Sequence, residues 1–321
     1  MIITEPMPGT GPGRRYALIT PCRDEALYMR RTLDSVVAQS ERPALWLIVD
    51  DGSTDATPQI LADYAARHDW IKVVSKPDRG ARAVGPGVIE AFYFGLAQID
   101  TAAFDYLCKF DLDLELPTSY FAILMDRMQA NPRLGSCSGK PWFSWKGAKV
   151  SEKCSDEMSV GMTKFYRVAC FDDIGGFVRE VMWDAIDCHK SRQLGWQVQA
   201  FNDPDLAFEH LRAMGSSHKS IHTGRMRHGF GQYFMGSSPW FFTASCVFRL
   251  IHPPYVTGAL ASFWGYVKAW AQGRPQLPDP ELRAFIRQYQ TRALLVGKAR
   301  AIAEIDARQA AVFARRAALK A

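Results

Sequence analysis

The sequence predicts an α/β protein: a mainly parallel sheet flanked by helices, with a helical C-terminal appendage. Short apolar runs of strand length alternate with segments of helical spacing through the first half of the chain, the β-α-β-α order of a parallel sheet. Those runs are apolar almost throughout, as strands buried on both faces are. After about Gly231 the texture changes to aromatic-rich segments punctuated by prolines, and then to an Arg/Ala-rich helix.

The elements follow in order. "RYALITP" is the first strand, and "CRDEALYMRRTLDSVVAQS" has helical spacing, with Leu27, Arg31, Leu33, Val36 and Val37 near one face. "LWLIVDD" is the second strand. Gly52 and Ser53 break it, and Thr54 or Asp55 can cap the helix that Thr57 and Pro58 open in "TPQILADYAARH". "IKVVSK" and "VIEAFYFGLAQI" give the third strand and helix, "YLCKFDLDLEL" and "SYFAILMDRMQAN" the fourth, closed by Asn131 and Pro132. A further helix, "DAIDCHKSRQLGW", ends at Gly195. The expected division is a flexible lead over 1–14, one α/β domain over 15–230 and a C-terminal helical region over 231–321.

Composition bounds the function. The chain has 321 residues, enough for one large domain with an appendage, and a net charge of +6. So modest an excess does not imply nucleic acid; an anionic ligand or membrane surface fits equally well. The seven cysteines are odd in number, dispersed and free of any C-x-x-C pair, which predicts reduced thiols in a cytoplasmic protein. "MIITEPMPGTGPGRR" lacks the apolar core of a signal peptide. No apolar run reaches the roughly 18 residues of a membrane-spanning helix.

Two acidic spots bear chemistry. Asp50 and Asp51 end the second strand, and open α/β sheets bind ligands at the carboxyl ends of their strands. Taken alone, such a turn reads equally as a polar helix cap. Asp111 and Asp113 stand two apart at the end of the fourth strand. Residues i and i+2 of a strand share a face, so both carboxylates can aim at one point if the strand reaches that far. Such a pair suits Mg²⁺ or Mn²⁺ bound together with substrate phosphates.

With these motifs in place, "ALITPCRDEALYMRRTLDSVVAQS", "LWLIVDDGSTDAT", "KFDLDLELPTSYF" and the "GW" after an acidic helix resemble the family 2 glycosyltransferases of GT-A fold. The resemblance covers roughly residues 15 to 230. It implies a nucleotide-sugar donor (a UDP-sugar), a divalent Mg or Mn ion and inversion at the anomeric carbon. Pro21, Arg23, Glu25, Asp50 and Asp51 would hold the base and ribose. Asp111 would contact nucleotide and metal, and Asp113 would be the direct metal ligand. The family's base is an acid eleven residues before a helix-ending glycine, and Asp184 stands eleven before Gly195. Trp183 replaces the glutamate that usually precedes it, and Asp187, one turn on, is the alternate base or a helix-dipole partner.

Further readings follow from the same resemblance. Arg79 and Arg82 would touch diphosphate or base, although Tyr93 stands near where the family carries an asparagine. His210, 26 residues beyond Asp184, would be the third metal ligand. Arg212, Arg225 and Arg227, among His218, His222 and His228, read as a loop closing on diphosphate. The "Q-x-x-R-W" of processive synthases is absent, which favours transfer of a single sugar, to a lipid-linked or saccharide acceptor in bacterial surface-polysaccharide assembly. The rivals are a nucleotidyltransferase, which needs a Gly-rich turn that "TPCRDEA" lacks, and a non-catalytic nucleotide-binding protein, which needs no base. Residues 237–273, rich in Trp and flanked by cations, predict two interfacial helices on the cytoplasmic face of the inner membrane. Packing on the α/β domain or a homodimer interface is the alternative.

Overall fold

A computed structural model of the chain describes residues 13–77, 80, 85–212, 221–251 and 254–320. The chain divides into two compact units, Met1–Gly176 with Trp196–Ala213, and Phe177–Gly195 with Met214–Ala321.

The first unit begins β1 (Tyr16–Cys22), α1 (Met29–Val37), β2 (Leu45–Asp50), α2 (Thr57–Arg67), β3 (Ile71–Ser75) and α3 (Pro86–Leu96). It continues with β4 (Tyr106–Phe110), β5 (Leu114–Glu115), α4 (Tyr120–Ala130), β6 (Leu134–Ser138), β7 (Pro141–Trp145), β8 (Ala148–Ser151), β9 (Thr163–Arg167) and α5 (Val168–Ile174). The chain then contributes α6 (Trp183–Gln193) to the second unit and returns as β10 (Gln197–Ala200) and β11 (Phe208–His210).

The main sheet has the order β10-β6-β9-β4-β1-β2-β3. All neighbours run parallel except β9, which is antiparallel to both β4 and β6. Every residue of β2 is buried, as its unbroken apolar run requires of a strand covered on both faces. Trp46, Tyr16, Phe110, Phe121 and Phe165 fill one side of the sheet. A second sheet, β5-β11-β7-β8, stands beside it.

Two expectations are corrected here. Leu27 is not on the buried face of α1. Backbone bonds from Tyr28 and Met29 to the Glu25 carbonyl make a turn before the helix begins, and Leu27 is 80% exposed on it. Met29, Thr32, Leu33 and Val36 carry the buried stripe instead. The fourth strand also stops early. β4 ends at Phe110 and β5 begins at Leu114 in the other sheet, so Asp111 and Asp113 lie in the bend between two sheets and the strand alternation does not place them.

The second unit is helical: α6, α7 (Ile221–Phe234), α8 (Pro239–Arg249), α9 (Tyr255–Ala271), α10 (Pro280–Val296) and α11 (Lys298–Lys320). Its core gathers Ile186, Phe234, Leu282, Ile286 and Ile305. Among the described residues no helix is long and apolar enough to cross a membrane.

Candidate active site

The carboxyl ends of β1 and β2 lie side by side, with Cys22 opposite Asp50. Arg23, Glu25, Asp50 and Asp51 are all buried there, and charged groups persist in such places only when partnered. Arg23 donates to the Asp51 carbonyl at 2.7 Å. The Asp50 carboxylate accepts the Ser53 N–H at 3.0 Å and so closes the turn. Lys76, just past β3, sits 3.2 Å from the Asp51 carboxylate. Asp55 accepts the Thr57 N–H at 2.9 Å from one residue ahead of the cap position of α2. That position is Ala56 and carries no side-chain cap, so neither Thr54 nor Asp55 is the cap. Pro21 is half-buried within β1.

The second sheet assembles the other half. β11 pairs antiparallel with β5, setting His210 opposite Leu114, and the Leu211 N–H donates to the Asp113 carbonyl at 2.8 Å. β11 also runs beside β7, whose hairpin with β8 leads into Glu152. Asp113, His210 and Glu152, distant in sequence, thereby meet. His210 Nδ1 lies 2.9 Å from Glu152 Oε2, and Nε2 lies 3.6 Å from Asp113 Oδ2. Arg212 places Nε 3.2 Å from Asp113 Oδ2, pairs through its other end with Glu25, and stacks over Tyr28. A line of alternating charge, Glu25–Arg212–Asp113–His210–Glu152, thus joins the loop after β1 to the bend after β4. Asp111 pairs with the buried Lys109, which also donates to the Gly161 carbonyl at 3.1 Å.

These neighbours set the protonation states. Burial acts to lower His210, but its bonds to the Asp113 and Glu152 carboxylates outweigh it and raise the imidazole to about 9. Burial acts to raise Asp113, yet the His210 bond and the charges of His210, Arg212 and Lys109 leave it below the usual carboxylate range. For Asp111 burial wins, helped by the charge of Asp113, and its carboxyl stands above that range despite Lys109.

The donor set fits a divalent metal in part. Among the described residues no three His, Cys, Asp or Glu side chains form a complete cage. Asp113 and His210 nevertheless present one oxygen and one nitrogen toward each other. The second imidazole nitrogen of His210 is engaged by a carboxylate, the usual arrangement for a metal-ligating histidine. Mg²⁺ and Mn²⁺ sites of this kind draw their remaining ligands from water and substrate phosphates.

Other expected residues lie elsewhere. Arg79, Arg82 and His218 are outside the described residues. Arg225, Arg227 and His228 do not belong to a loop: with His222 they lie on α7 in the second unit, a helix that the glycines of "GRMRHGFGQY" concealed. Asp184 and Asp187 also belong to the second unit, on α6. Asp184 is in the first turn and half-buried, whereas Asp187 is 3% exposed. Met182, just before that helix, adopts φ 64°, a conformation that costs a non-glycine residue free energy. Gly195 has φ +94°, and a Cβ there would lie 2.7 Å from the backbone nitrogen of Phe313 on α11, so the glycine is required twice over.

Glu152, Lys76 and Lys109 were not foreseen. Lys76 had a signal, a cation directly after a strand whose neighbour ends in two aspartates. Glu152 had none.

Residues 17–153 match the family model described as Glycosyl transferase family 2, and that stretch of the chain is a domain of this family. A stretch of 126 residues is 26% identical to the poly-beta-1,6-N-acetyl-D-glucosamine synthase of Staphylococcus epidermidis, covering 39% of this chain and 28% of that enzyme. The Staphylococcus aureus (strain COL) enzyme of that name is 26% identical over 121 residues, 37% of this chain and 27% of its own. The match therefore spans under a third of either synthase. Among solved structures, S. aureus TarS 1–349 in complex with UDP-GlcNAc aligns with a TM-score of 0.50 at 14% identity, over 93% of this chain and 90% of that one. GalNAc-T7 with UDP, GalNAc and Mn²⁺ aligns with a TM-score of 0.52 at 13% identity, over 83% and 59%. At such identities the likeness speaks to the fold, which is GT-A.

Proposed function

We propose that this chain, with its family 2 glycosyltransferase domain, is an inverting glycosyltransferase. It moves one sugar from a UDP-sugar to a hydroxyl of a lipid-linked or saccharide acceptor in bacterial surface-polysaccharide assembly. One observation carries the reading: His210 held between Glu152 and Asp113, with Arg212 tying Asp113 to the loop after β1. The UDP-GlcNAc and Mn²⁺ named with the TarS and GalNAc-T7 structures support a nucleotide sugar and a divalent ion here.

In this reading Arg23, Glu25, Asp50 and Asp51 frame the nucleoside, with Pro21 shaping the loop. Asp113 and His210 are the metal ligands, with Asp111 beside them, and Arg79 and Arg82 are proposed contacts to diphosphate. The bound Mg²⁺ or Mn²⁺ supplies neutralisation of charge on the leaving diphosphate. Asp184 takes the proton of the acceptor hydroxyl; its assignment stands on the spacing to Gly195, with Asp187 as the alternate. The acceptor oxygen forms a bond to the anomeric carbon from the face opposite the diphosphate. The bond from that carbon to the diphosphate oxygen breaks, and nucleoside diphosphate departs with the anomeric configuration inverted.

The test is incubation of the full chain with UDP-sugars, Mn²⁺ and saccharide or polyprenyl-linked acceptors. Acceptor-dependent release of UDP supports the reading. Release of pyrophosphate from a nucleoside triphosphate would instead mark a nucleotidyltransferase, and nucleotide binding without turnover of any donor would mark a binding protein.

A further inference from the structure

The second unit carries a helix that is inside out. On α9, Gly258, Ala259, Ser262, Gly265, Tyr266 and Ala269 are buried, and all but Tyr266 are small. The large apolar residues Val256, Leu260, Phe263, Trp264 and Trp270 are 39–67% exposed. Their spacing (i, i+4, i+7, i+8, i+14) gathers them into one stripe opposite the buried face. The cause is the approach of α7. A Cβ on Gly229 would lie 1.8 Å from the Ser262 carbonyl oxygen, and one on Gly265 would lie 2.1 Å from that of Met226. Helices in backbone contact admit only small residues between them, so the bulky side chains occupy the other side.

α8 repeats the pattern. Phe242 and Cys246 are buried, and Phe242 stacks on Tyr266 with ring centroids 4.8 Å apart. Trp240, Val247 and Phe248, with Ile251 just past the helix end, are 59–82% exposed and again follow i, i+7, i+8, i+11. Two neighbouring helices thus turn Trp, Phe, Leu, Val and Ile outward, where a water-facing surface rarely keeps so many together.

Charge identifies the occupant. Between Ile221 and Pro278 there is no Asp or Glu, while Arg225, Arg227, Arg249, Lys268 and Arg274 give five cations. Lys268 is exposed one turn beyond Trp264. Arg249 is lowered from its ordinary value by burial and by the charge of Arg225. His228 is pushed down to about 3 by burial and by those two arginines. The segment itself supplies cations and no carboxylate, and two of those cations, Lys268 and Arg274, are exposed. A second copy of the chain, docking through the same patch about a two-fold axis, would bring the same cations and again no acid. A surface of lipid phosphates brings the missing sign, and Trp and Tyr are residues that settle at the boundary between headgroups and acyl chains.

We propose that the outward faces of α8 and α9 form a docking surface for an anionic phospholipid bilayer. The two helices lie in the interface, with the exposed aromatic and aliphatic side chains entering the headgroup region and Lys268 and Arg274 meeting lipid phosphates. α9 has 17 residues, about 25 Å of helix, and lies flat instead of spanning. This surface does not rest on the glycosyl-transfer reading, because its residues lie on α8 and α9 of the second unit and Asp113 lies in the first. Asp113→Asn should leave vesicle binding at the parent level.

The experiment is flotation of the full chain with vesicles of phosphatidylcholine alone, and of phosphatidylcholine mixed equally with phosphatidylglycerol. The chain floats with the anionic vesicles at low salt, is released as salt rises, and shows a blue shift of Trp emission on binding. Phe263→Ser with Trp264→Ser abolishes flotation while the melting temperature and far-ultraviolet dichroism stay unchanged. Lys268→Gln and Arg274→Gln each weaken partition about fivefold. A chain that stays unbound with the anionic vesicles at low salt overturns the proposal. So does binding that the Ser substitutions leave intact, or a dimer that those same substitutions dissociate.

Discussion

His210 and Glu152 lie 2.9 Å apart, imidazole Nδ1 to carboxylate oxygen, although 58 residues separate them in sequence. The contact fixes the orientation of the ring and leaves Nε2 facing Asp113. A ligand turned away from this position would have to pay for reorientation before binding a metal. Glu152→Gln keeps the shape and removes the charge. Second-sphere changes of this kind typically cost about 10–100-fold in metal affinity, and Mn²⁺ titration followed by calorimetry should show a loss in that range with the fold retained. Unchanged affinity would leave Glu152 with only a packing role.

Asp113 and His210 are expected to differ in what their removal does. Asp113→Asn deletes a carboxylate that faces both His210 and Arg212, so it removes a metal ligand and also leaves two cationic groups less balanced. Donor turnover should fall on the order of 10²-fold or more, and the Mn²⁺-dependent rise in melting temperature should disappear. His210→Ala leaves the aspartate in place and should weaken Mn²⁺ while retaining measurable turnover at high metal. Full metal-dependent activity in Asp113→Asn would remove that residue from the ligand set.

The contrast between these residues and Glu152 shows what the sequence exposes. β1 and β2 are legible because a strand covered on both faces must be apolar along its whole length, and the acids that end β2 stand out against it. His210 is legible through its spacing from Asp184, a regularity of the resembling family. The second sheet is not legible. Its strands run from two residues in β5 to five in β7, too short for any alternation to register, and that sheet alone brings Glu152 to His210. The same shortness hid the end of β4 at Phe110. Arg212 looked like one cation among several, and only β11, which carries it toward Asp113 and Glu25, sets it apart from the arginines of α7.

Asp184 and Asp187 are separated by their burial. Asp184 is half-buried in the first turn of α6, and Asp187 is 3% exposed within the same helix. Asp184→Asn should therefore keep the melting temperature and the nucleotide affinity while lowering kcat by about 10²–10⁴-fold, the usual loss for a positioned base. Asp187→Asn should lower the melting temperature, because the substitution alters hydrogen bonding in a buried place. An active, folded Asp184→Asn alongside a folded but inactive Asp187→Asn would reverse the two roles.

Neighbouring positions on α9 offer the sharpest check on its orientation. Gly265 is buried, and an added Cβ would sit 2.1 Å from the Met226 carbonyl oxygen. That atom belongs to the backbone of α7 and has no rotamer by which to yield. Gly265→Ala must therefore push two helices apart, at a cost of about 1–3 kcal/mol by the measure of other overpacked cores. Trp264, the residue before it, is 58% exposed. Trp264→Ser removes far more volume but opens no interior cavity, so its effect on stability should stay within about 0.5 kcal/mol. Urea unfolding of the two variants measures both values. An ordinary amphipathic helix, with tryptophan inward and glycine in solvent, gives the opposite order, and that order would overturn the placement of α9.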